Sequence, residues 1–96
     1  MQELTIVAVI RTQPQHVDRV KPELLKLVAA TRTEAGCLQY DLHQDNSDPA
    51  RFLFFERWKS RDLWQAHMQT PHLAAYRKAT EGAIAEFTLF EMSQIA

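Results

Sequence analysis

A chain of 96 residues holds one modest hydrophobic core, enough for a single domain and short enough to gain from self-association. Eleven lysines and arginines against twelve acids leave a formal net charge of −1, and the basic residues are scattered, which excludes the concentrated positive surface of a nucleic-acid binder. No apolar run approaches the length of a bilayer span, and the single cysteine excludes an internal disulfide framework and fits a reducing cytoplasm.

Leu4–Ile10 (LTIVAVI) is a β-branched run that reads as a largely buried strand, too short and too strand-like for a secretory leader. Thr12-Gln13-Pro14 ends it. From about Gln15 to Arg32, Val17, Val20, Leu24, Leu27 and Val28 recur at three- and four-residue spacing, which predicts an amphipathic helix. Pro22 inside that pattern predicts either a kink or a true first turn, with Gln15–Lys21 as a looser lead-in. Gly36 follows as a helix stop or turn glycine. Cys37–Gln44 alternates, with Leu38, Tyr40 and Leu42 on one face and Cys37, Gln39, Asp41 and His43 on the other. Asp45-Asn46-Ser47-Asp48-Pro49 is a turn that makes a hairpin of this strand and the next.

That next strand, Phe52–Trp58, places Phe52, Phe54, Glu56 and Trp58 on one face and Leu53, Phe55 and Arg57 on the other. Both faces are mostly apolar, although one layer of helices covers only one side of a sheet, so the uncovered side needs a second subunit or a ligand. Ser60 is an N-cap with Asp62 in the first turn of a short helix carrying Leu63, Trp64, His67 and Met68. Thr70 and Pro71 start a further helix whose inward stripe is Leu73, Tyr76, Thr80 and Ile84. Glu86–Gln94 closes the chain as a strand, with Phe87, Leu89 and Glu91 opposite Thr88, Phe90 and Met92. The order β-α-β-β-α-β, its second helical region split, predicts a ferredoxin-like α+β sandwich: one domain over residues 1–96 with a four-stranded antiparallel sheet.

Few residues offer chemistry. His67 and His72 are five apart, about 140° of rotation on one helix, with Pro71 between them, and no cysteine or carboxylate completes a recognisable ligand set, so no metal is expected. For each histidine alone, a partner for backbone groups near a helix end is the better reading. Trp64 reads as core or interface. Glu56 among Phe52, Phe54 and Trp58 is costly to bury unpaired. Either an arginine pairs it (Arg51, Arg57 or one across a dimer contact), or it is the polar group of an apolar small-molecule pocket. Tyr40, on the neighbouring strand, is a wall residue of that pocket or an ordinary packed tyrosine. Cys37 reads as a structural thiol. No glycine-rich phosphate loop or nucleophile elbow is present, so no organic cofactor is expected.

The combination of Glu34-Ala35-Gly36-Cys37-Leu38-Gln39-Tyr40, the Asp48-Pro49 turn, Phe52-x-x-x-Glu56-x-Trp58 and His67-x-x-Thr70-Pro71-His72 resembles the antibiotic-biosynthesis-monooxygenase-like dimeric α+β barrel family, most of all its small quinol monooxygenases. The resemblance covers nearly the whole chain. It implies a homodimer whose sheets pack face to face and oxygenation of a small quinol or phenolic substrate by O2 without metal, flavin or haem. In that setting His67 or His72 suits proton transfer, Glu56 orients a histidine or a substrate hydroxyl, and Trp58 and Tyr40 wall the ring, with Phe52 and Phe54 beside them. The resemblance also reaches an isomerase of a phosphorylated quorum-sensing signal, which shares Thr-Pro-His, although Trp58 stands where that relative has a smaller aromatic. The haem-degrading branch fits less well, because the first strand has no asparagine and His67 stands at that branch's tryptophan. A non-catalytic dimeric ligand-binding or stress protein on the same scaffold is the alternative of a different class.

Overall fold

The computed structural model describes residues 2–96. Its elements are β1 (Leu4–Thr12), a 3₁₀ turn at Pro14–His16, α1 (Val17–Thr31), β2 (Cys37–Gln44), β3 (Arg51–Trp58), α2 (Arg61–His67), α3 (Pro71–Ala79) and β4 (Ile84–Met92). The strands form one antiparallel sheet in the order β2-β3-β1-β4, the ferredoxin-like α+β arrangement expected from the element order. One face of the sheet, from Ile6, Ala8 and Ile10 across to Phe52, Phe54, Glu56 and Trp58, is buried beneath the helices. Val20, Leu24 and Leu27 of α1 and Leu73 of α3 complete this core.

Pro22 neither starts the helix nor ends it; α1 runs unbroken from Val17 to Thr31 with Pro22 inside. Pro22 is the sixth residue of α1, so its missing N–H costs the carbonyl of Asp18 its intrahelical partner. The inward stripe predicted for the third helix stops short of Ile84. α3 ends at Ala79, and Gly82, at φ +77°, turns the chain so that Ile84 opens β4 and pairs with Thr12. Only glycine adopts that backbone without strain.

The faces predicted for Cys37 and Leu38 are reversed. Cys37 pairs with Trp58 and Gln39 with Arg57, so Leu38 is the extra residue of a bulge. One inserted residue flips the alternation on its N-terminal side: Cys37 packs on the core and Leu38 is exposed. Gly36 lies in the turn before β2, as expected, and it also serves space. A Cβ there would lie 2.5 Å from Leu63 Cβ, so the glycine lets the α1–β2 connection press against α2.

The other sheet face has no helix over it. Val7, Val9, Leu53 and Phe55 run across its middle, with Phe90 and Met92 of β4 beside them, 45% and 44% exposed. The candidate dimer face bearing Phe52, Phe54 and Trp58 is therefore the covered one, and its opposite is the open one.

Candidate functional site

The helix-facing side of the sheet does not meet α2 and α3 everywhere. Between them lies a cavity of about 410 Å³. Ala8, Ile10, Phe54 and Leu89 line it from the sheet, Leu73 and Tyr76 from α3, and Trp64 and Met68 from α2. Phe87 of the edge strand β4 also lines it and is 56% exposed. Arg77 and Glu81 also stand on its lining.

Three of the polar side chains on this lining, Tyr40, Glu56 and His67, stand together, each no more than 4% exposed. Cross-strand register sets Tyr40 opposite Glu56, and the last turn of α2 brings His67 over them, its ring 5.7 Å from Tyr40. Glu56 Oε1 accepts a 2.9 Å bond from Trp58 Nε1. His67 Nδ1 lies 2.7 Å from Glu34 Oε2. A carboxylate only accepts, so Nδ1 carries the proton and Nε2 of the neutral ring is left as a lone pair. Among the described residues His67 Nε2 and the second oxygen of Glu56 make no hydrogen bond, while the Tyr40 hydroxyl stands within hydrogen-bonding reach of the Thr31 side chain. One apolar cavity thus holds two unpartnered acceptors beside a phenol, the make-up of a small-molecule site.

Burial sets the protonation of all three. It pushes Glu56 from 4.5 up to about 7, against the lowering effect of the Trp58 bond. It raises the Tyr40 phenol far above its ordinary range, with the Glu56 charge adding to the effect. It holds His67 below its usual value, opposed by the Glu34 carboxylate, so the imidazole is neutral at pH 7 and able to accept a proton. A raised carboxyl pKa means that the fold prefers protonated Glu56. Its contribution to stability is fully present below pH 4.5 and is lost as pH rises through about 7. Glu56→Gln, which keeps an acceptor for Trp58, removes that dependence. Urea unfolding at acidic and mildly alkaline pH should show the wild type losing on the order of 3 kcal/mol relative to Glu56→Gln. Parallel pH dependences of the two would refute the assignment.

His67 and His72 do not diverge, which corrects the expectation drawn from helical rotation. α2 stops at His67 and α3 restarts at Pro71, capped by Thr70, whose hydroxyl donates to His67 O at 2.8 Å and accepts from Leu73 N. The reversal between them brings His72 Nε2 to 2.7 Å from the same Glu34 oxygen that His67 holds. Glu34 comes from the turn after α1, its backbone bonded to Thr31 and Cys37.

Other sequence expectations also shift. Trp58, fully buried, is not a cavity wall; it lies behind the polar end, tilted against the His67 ring at 4.8 Å. Phe52 is likewise core rather than lining, and His72 stands outside the cavity. Phe54, Tyr40, Glu56 and His67 do line it. Glu56 orients neither histidine and takes no arginine; the indole N–H is its partner. The orienting carboxylate is Glu34, to which sequence reasoning gave no role beyond opening the stretch that carries the family resemblance. That stretch, with Glu34 two residues before Gly36 in the turn that presses against α2, was the available signal.

Residues 4–79 match the family described as Antibiotic biosynthesis monooxygenase. Over 96 aligned residues, covering 90% of this chain and 92% of the other, the sequence is 32% identical to an Escherichia coli K12 protein named "Probable quinol monooxygenase YgiN". A solved Pseudomonas aeruginosa structure, PA3566, superposes with a TM-score of 0.95 at 34% identity, covering 100% of this chain and 97% of that one. A crystal structure titled as an antibiotic biosynthesis monooxygenase gives a TM-score of 0.92 at 31% identity, covering 97% and 99%.

Proposed function

From the chain's membership of the antibiotic biosynthesis monooxygenase family, we propose that it oxygenates a small quinol or phenol with O2, using neither metal nor organic cofactor in the chemical step. The observation that supports this best is the convergence of Tyr40, Glu56 and His67 on one apolar cavity, with an unpartnered atom on Glu56 and on His67.

A planar ring enters past Phe87 and packs among Phe54, Leu73 and Leu89. His67 Nε2 takes a hydroxyl proton, and Glu34 holds the ring and stabilises the imidazolium that forms. The resulting oxyanion donates an electron to O2, and the radical pair combines to a hydroperoxide on the ring. Loss of water then leaves a hydroxyquinone, so one quinol and one O2 give one hydroxyquinone and one H2O. Tyr40, kept as a phenol by burial, donates a hydrogen bond to the developing oxyanion. The isomerase alternative calls for several arginines around a phosphate, whereas among the described residues Arg77 is the one arginine on this cavity's lining, which also carries Glu81. Oxygen uptake on a panel of quinols in the presence of chelator tests the reading. The expected result is one O2 per quinol with a hydroxyquinone product; uptake at the uncatalysed rate, or uptake that needs added metal or flavin, overturns it.

A second copy of the chain covers the open sheet face, where Val7, Val9, Leu53, Phe55, Phe90 and Met92 form an apolar stripe. One sheet face is large enough to approach the roughly 1,200 Å² that stable interfaces remove from solvent. Sedimentation should find a dimer at micromolar concentration, and a monomer there would dismiss this pairing.

A further inference from the structure

We infer that Glu34, His67 and His72 form a binding site for a divalent transition-metal ion, set on the far side of the His67 ring from the cavity. Their ligand atoms, two imidazole nitrogens and a carboxylate oxygen, all lie within 4.8 Å of one another. The set is drawn from three places in the chain and is mostly enclosed, the side chains being 15%, 4% and 25% exposed for Glu34, His67 and His72. Among the described residues Glu34 has no lysine or arginine partner, and its Oε1 makes no hydrogen bond. The carboxylate therefore sits largely out of water with only two histidines to balance its charge, and a bound cation supplies what is missing. Two nitrogens and one oxygen suit zinc, iron, cobalt or nickel rather than calcium or magnesium. Ligands sit about 2.0–2.2 Å from such an ion, an approach that the part-exposed His72 makes by turning its ring. His72 also opens the way in, and water completes the coordination.

The ion's position decides its effect. Neither Glu34 nor His72 lines the cavity, so the ion acts through His67 and not on the substrate. A neutral imidazole bound through Nδ1 carries its one proton on Nε2. The acceptor that faces the cavity then becomes a donor, and the base is switched off. This consequence rests on the oxygenase reading; the site itself does not.

Titration of chelator-stripped protein with Zn2+ by calorimetry, and with Co2+ by visible absorption, tests the site without reference to turnover. The expected result is one ion per chain. Glu34→Gln and His72→Gln should each weaken binding by more than the roughly 10–100-fold that loss of an outer-shell partner costs, with circular dichroism confirming that both variants fold. Binding well below one ion per chain, or binding unchanged in both folded variants, would overturn the site and place the ion elsewhere, as at His16 or His43. In the oxygen-uptake assay saturating Zn2+ should suppress the wild type and chelator restore it. Stoichiometric binding that is lost in the variants but leaves turnover untouched supports the site and refutes His67 as the base.

Discussion

Replacing His67 with glutamine lowers quinol-dependent oxygen uptake by about 10²–10⁴-fold, the usual cost of losing a general base. The loss falls on kcat, because glutamine fills most of the space and its amide can still donate to Glu34 while offering no basic nitrogen to the substrate. Stability changes little by comparison. His72→Gln makes the sharper control. His72 shares the Glu34 oxygen at 2.7 Å but stands outside the cavity, so its loss acts through the placement of Glu34 and His67 and reduces turnover by much less. Kinetics on a substrate that the wild type demonstrably oxidises decide the matter. Wild-type turnover in His67→Gln removes the imidazole from the chemistry and leaves it as a packing and hydrogen-bonding residue of the α2 terminus.

The largest loss of stability comes from Trp58→Ala, about 3–5 kcal/mol. Trp58 is fully buried, packs its ring 4.8 Å from that of His67 and edge-on to Tyr40 at 6.3 Å, and donates its indole N–H to Glu56. Removing it opens a void behind the polar end of the cavity and strips a buried carboxyl oxygen of its donor. A domain of this size has about 5–15 kcal/mol of stability in total, so one substitution consumes much of it, and turnover falls because Glu56 and His67 lose their backing. Trp58→Phe separates the two contributions, since it keeps an aromatic ring but no N–H. Its cost should be smaller and should grow as pH rises and Glu56 ionises without a donor. Urea denaturation measures both variants, and a Trp58→Ala loss below about 1 kcal/mol would show that the residue does not support the site.

Sequence alone determined the element order, the sheet class, the Asp45–Pro49 hairpin turn and the Ser60 and Thr70 caps. Each of these is written in local spacing: period two in β3, period three to four in α1, and a capping hydroxyl three residues before the amide it accepts from. Alternation also placed Glu56 on the same strand face as Phe54 and Trp58. It did not say how deep each lies along that face, which is why Trp58 read as a cavity wall when it is the support behind one. The β2 bulge escaped detection because pairing with β3, not anything in Cys37–Gln39 itself, makes Leu38 the extra residue. The partners of Glu34 lie 33 and 38 residues further along the chain. Rotation along a helix relates residues only while the helix continues, and the break between His67 and Pro71 resets the direction of everything after it. Only the docking of α2 against the Gly36 turn, and the reversal into α3, could bring one carboxylate between two histidines.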